Sequence, residues 1–174
     1  MKLSARETQA LSAKPTDNCK AYDAYLRGLA FDAHSAYSNE AQRKALNAYE
    51  RAVRIDPTFA LAWARLSRAD ASLYFIRADQ TPERRDAARR ALKNAQELDP
   101  NLPETQLALG YYQYWVLRDY AIAKSTLGQL REALPGSSDI LYALRLVTRR
   151  QGKWDESIAY SNKPSCSIRA ILRS

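Results

Sequence analysis

Only five glycines occur among the 174 residues, and they never cluster. A glycine-rich loop that cradles phosphate is therefore excluded. Histidine appears once, as His34 in the stretch "DAHSAYSN", with no serine or cysteine motif beside it. A loop residue, not a catalytic base, is the expectation there. The two cysteines, Cys19 and Cys166, stand at no metal-ligand or redox spacing. Two isolated cysteines in a cytosolic chain read as free thiols. The most apolar stretch, "LALGYYQYWVL" from Leu107 to Leu117, is 11 residues long, too short to span a bilayer. The opening "MKLSARETQALSAK" lacks the apolar centre of a secretory signal. These shortages leave no catalytic residue, cofactor, metal or membrane to expect, and a cytoplasmic location. An enzyme is not expected.

Helix-favouring residues fill the space. Apolar residues make up 46% and charged residues 26% of the chain, the balance of a globular protein. Lys and Arg number 27 against 19 Asp and Glu, a net charge of +8. An excess of that sign attracts nucleic acid or anionic surfaces, or else reflects a solvated helical surface that favours arginine.

Self-similarity is the stronger signal. "ALNAYERAVRIDP", "AARRALKNAQELDP" and "AKSTLGQLREALP" share one frame: from Ala45, Ala88 and Ala123, a proline follows 12 residues later at Pro57, Pro100 and Pro135. Apolar or small residues recur four and seven places after each alanine: Tyr49 and Ala52, Leu92 and Ala95, Leu127 and Leu130. Those offsets lie on one helical stripe, and its small members let a second helix approach closely. Each proline stops its helix, having no amide hydrogen and constraining the residue before it. Another apolar helix follows each time, carrying Trp63 and Leu66, then Leu109 and Gly110, then Leu141 and Leu144. Start signals agree at Thr81-Pro82-Glu83 and Pro103-Glu104, and Ser138 is the expected cap before Asp139. An earlier helix, "CKAYDAYLRGLAFDA", precedes the Ala45 helix. Helices thus alternate two per unit, with units over 19–57, 58–100, 101–135 and 136–163, a lead-in over 1–18 and a tail over 164–174. The longer second unit, 58–100, accommodates an insertion around "FIRADQT".

This pattern resembles the tetratricopeptide repeat, a helix–turn–helix unit of about 34 residues. The Trp63/Leu66 pair, the Leu109-Gly110 pair, the alanine-based second helices and the "IDP" and "LDP" endings carry the likeness. Leu130 departs from it, standing where the family usually places alanine. The resemblance implies an all-α, right-handed superhelical solenoid of three complete helix pairs and a truncated fourth. More narrowly, "KPTDNCKAYDAYLRGLAFD" and "YERAVRIDPTFALAWARLSRA" look like the tetratricopeptide arrays of bacterial class III adenylate cyclase-like proteins and winged-helix regulators with a TolB-like segment. Neither a cyclase domain nor a winged helix is present, so the likeness implies only a sensory or docking arm.

The rhythm breaks near the end. "RQGKWDESIAYSNK" begins a fourth unit, with Gly152 in a turn, Trp154 opening the helix and Ser157 at the alanine position. The template then expects a small residue at 164 and proline at 169, where the chain has Pro164 and Arg169. One synonymous coding of "PSCSIRAI", preceded by a single G, reads A-E-L-L-D-P-R-N in the neighbouring frame, which restores both positions. A one-base frameshift is our reading of the 164–174 tail, with a genuine irregular terminus as the alternative. A cut final helix also leads us to expect an exposed apolar side from Leu141 to Val147, and self-association through it.

The resemblance further implies that the first helix of each unit lines a concave face that holds another protein or peptide. The inward positions are Tyr22 and Tyr25, Arg68, then Tyr111, Tyr114 and Trp115, then Tyr142, Arg149 and Arg150. Aromatic residues and arginine are the types enriched at binding hot spots. Packing between units is the competing role: it is assigned outright to Trp63 and Tyr49, and stays open for Tyr111, Tyr114 and Trp115. The carboxylate clamp of chaperone-binding members is missing, since Ala64, Arg68, Leu107 and Tyr111 hold the corresponding positions. The alternative function is nucleic-acid binding through the basic helix Arg84–Lys93. Glu83 and Asp86 interrupt that run and no recognition motif accompanies it, so a solvated helical face is the expectation.

Overall fold

The computed structural model describes residues 15–34 and 38–161. Among them lie eight α-helices, one π-helical turn and no strand. The helices are α1 (Cys19–Asp32), α2 (Asn39–Ile55), α3 (Ala60–Phe75), α4 (Pro82–Leu98), α5 (Pro103–Tyr112), α6 (Tyr120–Ala133), α7 (Ser138–Arg150) and α8 (Trp154–Ser161), with the π turn Gln113–Leu117 continuing α5. The 164–174 tail and most of the lead-in lie outside the described residues.

Local chemistry sets the helix ends. Asn18 accepts from the amides of Lys20 and Ala21, Ser38 from Ala41, Thr81 from Arg84 and Asp119 from Ile122, each side chain satisfying donors that a first turn leaves open. Ser138 does not cap α7. It is the first helical residue, and Ser137 takes the cap position without a side-chain bond. At the other ends, α2, α4 and α6 stop two residues short of Pro57, Pro100 and Pro135. The Asp-Pro turns then repeat in detail. Asp56 Oδ1 accepts from the Thr58 amide and Asp99 Oδ1 from the Asn101 amide. Six residues after each proline, Trp63 Nε1 and Gln106 Nε2 donate back to the Pro57 and Pro100 carbonyls. The third turn has Leu134 for the aspartate and Leu141 for the donor, so it forms without these bonds.

Helices adjacent in sequence pack on one another, and α3 also contacts α5 while α5 contacts α7. The stripe of α2 is buried completely at Ala45, Tyr49 and Ala52. One apolar cluster joins α1, α2 and α3; a second joins α3, α4 and α5; a third joins α5, its π turn, α6 and α7. Two glycines set the closest approaches. A Cβ on Gly28 would stand 2.3 Å from the ring of Tyr49, and one on Gly110 would stand 2.6 Å from the end of Leu127.

The expected exposure of Leu141 to Val147 is corrected. Leu141, Leu144 and Val147 are all buried, because the short α8 lies over α7 and brings Ser157 and Tyr160 onto it. Ser157 Oγ donates to the Arg145 carbonyl, and Tyr160 joins the apolar cluster. On α8 itself Trp154 and Ile158 are exposed, and on α7 the ring of Tyr142 is. No helix among the described residues is long and apolar enough to cross a membrane.

Candidate functional site

Residues four apart on a helix share a face, and α3 presents Arg68, Ser72 and Phe75 along one side, with Ile76 at its C-terminal cap. Opposite stand Tyr111 and Trp115, also four apart, and the α7 residues Asp139, Tyr142 and Leu146. Ser38, Asn39 and Gln42, at the start of α2, complete the rim. Together these side chains line a groove of about 820 Å³, within the range of ligand-binding clefts.

Aromatic rings build one wall. Tyr111 and Trp115 stack with ring centroids 4.2 Å apart, and Phe75 lies 6.0 Å from Trp115 and 5.4 Å from Tyr114. Tyr114 and Trp115 lie in the π turn Gln113–Leu117, and π-helical segments recur at functional sites. It ends where Arg118 takes a left-handed conformation, φ 57°, and the Asp119 amide donates back to the Gln113 carbonyl. Burial pushes the Tyr111 hydroxyl up to about 12, against the opposing pull of Arg68, so it is a neutral donor at physiological pH.

Guanidinium groups surround the rings. Arg68 lies over Tyr111 at 4.9 Å, Arg145 over Tyr142 at 4.9 Å and Arg150 over Phe75 at 5.6 Å, all within cation–π range. Arg68 Nη1 is 3.9 Å from Asp139 Oδ2, close enough to feel its charge and beyond hydrogen-bond length. Arg65, one turn before Arg68, sits 4.0 Å from Asp32, whose Oδ2 also accepts from the Tyr49 hydroxyl at 3.0 Å. Three buried polar atoms here have no hydrogen-bond partner: Arg65 Nε, Arg68 Nη1 and Gln42 Oε1. Gln42 is only 6% exposed; its amide nitrogen donates to Ser72 Oγ, and its carbonyl oxygen stays buried without a partner.

Of the residues expected on a binding face, the structure brings Arg68, Tyr111, Trp115 and Tyr142 together in this groove. Arg150 reaches its edge through Phe75, and its Nε donates to the Tyr114 hydroxyl at 3.5 Å. Tyr114 itself is buried in the cluster of α5, α6 and α7. Tyr25 is buried against Tyr49 and Phe59, with Tyr22 stacked on its outer side. Arg149 is exposed on α7. Trp63 and Tyr49 pack between helices, as their spacing suggested. Sequence reasoning missed Gln42, Ser72, Phe75 and Asp139. The four-residue spacing from Arg68 to Ser72 was available as a signal; the place of Gln42, on a second helix, was not.

The basic α4 carries less free charge than its composition suggests. Arg84 binds Asp70 and Asp79, Arg85 pairs with Asp86 at 3.1 Å, and Lys93 with Glu97 at 3.4 Å. Cys19 is a free, exposed thiol. No three His, Cys, Asp or Glu side chains among the described residues stand where they could hold a metal ion. No family model matches the chain, and no curated protein matches it.

Proposed function

We propose that this chain is a tetratricopeptide-like repeat module, a right-handed solenoid of stacked helix pairs that binds another protein or a peptide in the groove between α3, α5 and α7. The repeat reading is supported by the recurring Asp-Pro turns and by the contacts of α3 with α5 and α5 with α7. Stacked pairs form concave surfaces of this kind. One observation carries the functional reading: Arg68, Tyr111, Trp115 and Tyr142, chosen as inward-facing, line the same 820 Å³ groove. The module acts as a sensory or docking arm of a larger bacterial signalling or transcription-regulatory protein, in the cytoplasm, without catalysis.

The test uses a phage library of random twelve-residue peptides selected on the whole chain. Peptides from the enriched clones bind, and Tyr142→Ala, at a half-exposed ring, weakens them about tenfold, the size of a hot-spot loss. Clones indifferent to Tyr142→Ala and to Arg150→Ala contradict the groove. Salt-sensitive affinity for random DNA, lost when Arg89 and Arg90 are changed to glutamine, supports the basic α4 face instead.

A further inference from the structure

Resting on that groove reading, we propose that its occupant is an extended acidic peptide, with an internal Asp or Glu carboxylate on Arg68 and a main-chain amide donating to Gln42. Charge complementarity is the first argument. Arg68 lines the cleft, and Arg145 and Arg150 lie over its lining rings Tyr142 and Phe75, against the carboxylates of Asp139 in the groove and Asp32 in its recess, in a chain of net charge +8.

The second argument comes from two unmet polar atoms. Arg68 places its guanidinium over Tyr111, 4.9 Å from the ring centre, and leaves Nη1 buried without a hydrogen-bond partner. Its nearest carboxylate, Asp139, stays 3.9 Å away and is itself more than half exposed. Asp139 therefore offsets charge without occupying the donor. An arriving carboxylate fits that donor and makes the charge-assisted bond that the resting pair lacks. Gln42 Oε1 is the complementary case: an acceptor on a side chain 6% exposed, lining both the groove and its deeper recess with Asp32 and Arg68. A buried unsatisfied carbonyl is costly, and a peptide N–H is the donor that an extended chain offers at each residue. Donor and acceptor together suit a backbone carrying an acidic side chain. Simple inorganic anions supply the charge and leave Gln42 unmet. The aromatic wall of Tyr111 and Trp115 takes the apolar parts of neighbouring residues.

The experiment uses a consensus dodecapeptide from the phage selection, acetylated and amidated so that no terminal carboxylate remains, and a twin with each Glu and Asp changed to its amide. Calorimetry on the whole chain reads both. The amide twin binds about tenfold or more weakly, the size of one charge-assisted hydrogen bond. Arg68→Gln narrows the gap between the acidic peptide and its twin to within about twofold, and circular dichroism shows the variant folded. Arg150→Gln, at an exposed residue, lowers the salt dependence of the acidic peptide alone. Equal affinity of peptide and twin overturns the acidic occupant while the groove reading stands, provided Tyr142→Ala still weakens both. Absence of any selected binder overturns both.

Discussion

The Arg68 guanidinium lies 4.9 Å from the centre of the Tyr111 ring, joining α3 to α5 across the floor of the groove. This contact separates two roles within one residue. The guanidinium packs on the ring while its buried Nη1 keeps an unused hydrogen-bond donor. Arg68→Met keeps much of the stem packing and removes the charge. It lowers stability by about 0.5–2 kcal/mol, the value of a partly desolvated cation–π contact, read by urea unfolding. Arg149→Met, on an exposed side chain, stays within about 0.5 kcal/mol of the parent.

Three helical glycines make a graded series. Gly28→Ala drives a Cβ into the ring of Tyr49, which is fully buried and tied through its hydroxyl to Asp32. The ring has no free direction to move. An overpacking loss of about 1–3 kcal/mol follows. Gly110→Ala meets only the terminal methyl groups and Cγ of Leu127, a side chain able to shift, and costs less. A Cβ on Gly128 meets nothing within 4 Å, so Gly128→Ala stabilises α6 by about 0.5–1 kcal/mol. Thermal unfolding of the three variants gives the order.

Asp70 gives the fold a pH dependence of definite sign. Burial pushes its carboxyl up to about 6, although the Arg84 guanidinium pulls the other way. In the unfolded chain the same group titrates near ~4. The folded state therefore holds this proton more tightly, and its contribution is fully present below pH 4 and lost as pH rises to about 6. Asp70→Asn removes the titration. Relative to the parent, the variant gains up to about 3 kcal/mol between those limits. Urea unfolding of both chains at pH 4, 5, 6 and 7 reads the difference, and a constant gap contradicts the assignment.

Arg77 and Arg118 end α3 and the π turn with φ of 63° and 57°, in the left-handed region where a side chain costs about 1 kcal/mol. Arg118→Gly relieves that strain and stabilises by up to about 1 kcal/mol, less the extra freedom it gives the unfolded chain. Gly152 already occupies the same region, with φ 74°. Gly152→Ala is destabilising by a similar amount.

The helix pairs and their turns were legible because their signals are local. Thr81-Pro82, Pro103-Glu104 and the Asp-Pro endings each act within one turn of the chain, and the structure has helices where they place them. The alanine and glycine stripe was legible for the same reason, since close approach needs small side chains at helical spacing. The groove was only half legible. Arg68 and Tyr142 could be assigned by position in a unit, yet whether a tyrosine faces a cleft or a core depends on how its helix rotates against the next. Tyr114 went to the core and Trp115 to the cleft although they are neighbours in sequence, and the π turn between Gln113 and Leu117 has no sequence signature. Burial of Leu141 to Val147 was misread because an eight-residue helix, marginal alone, is held by packing against α7.

The most direct test of the groove is a nuclear magnetic resonance titration of the isotope-labelled whole chain with the selected peptide. Three indoles report from separate places: Trp63 beside the Pro57 turn, Trp154 exposed on α8, and Trp115 in the cleft. Saturable shifts of the Trp115 indole and the amides of Arg68, Tyr111 and Tyr142, with Trp63 and Trp154 unmoved, are the predicted result. Saturation with Trp115 unmoved and the shifts confined to α4 or α8 would contradict it.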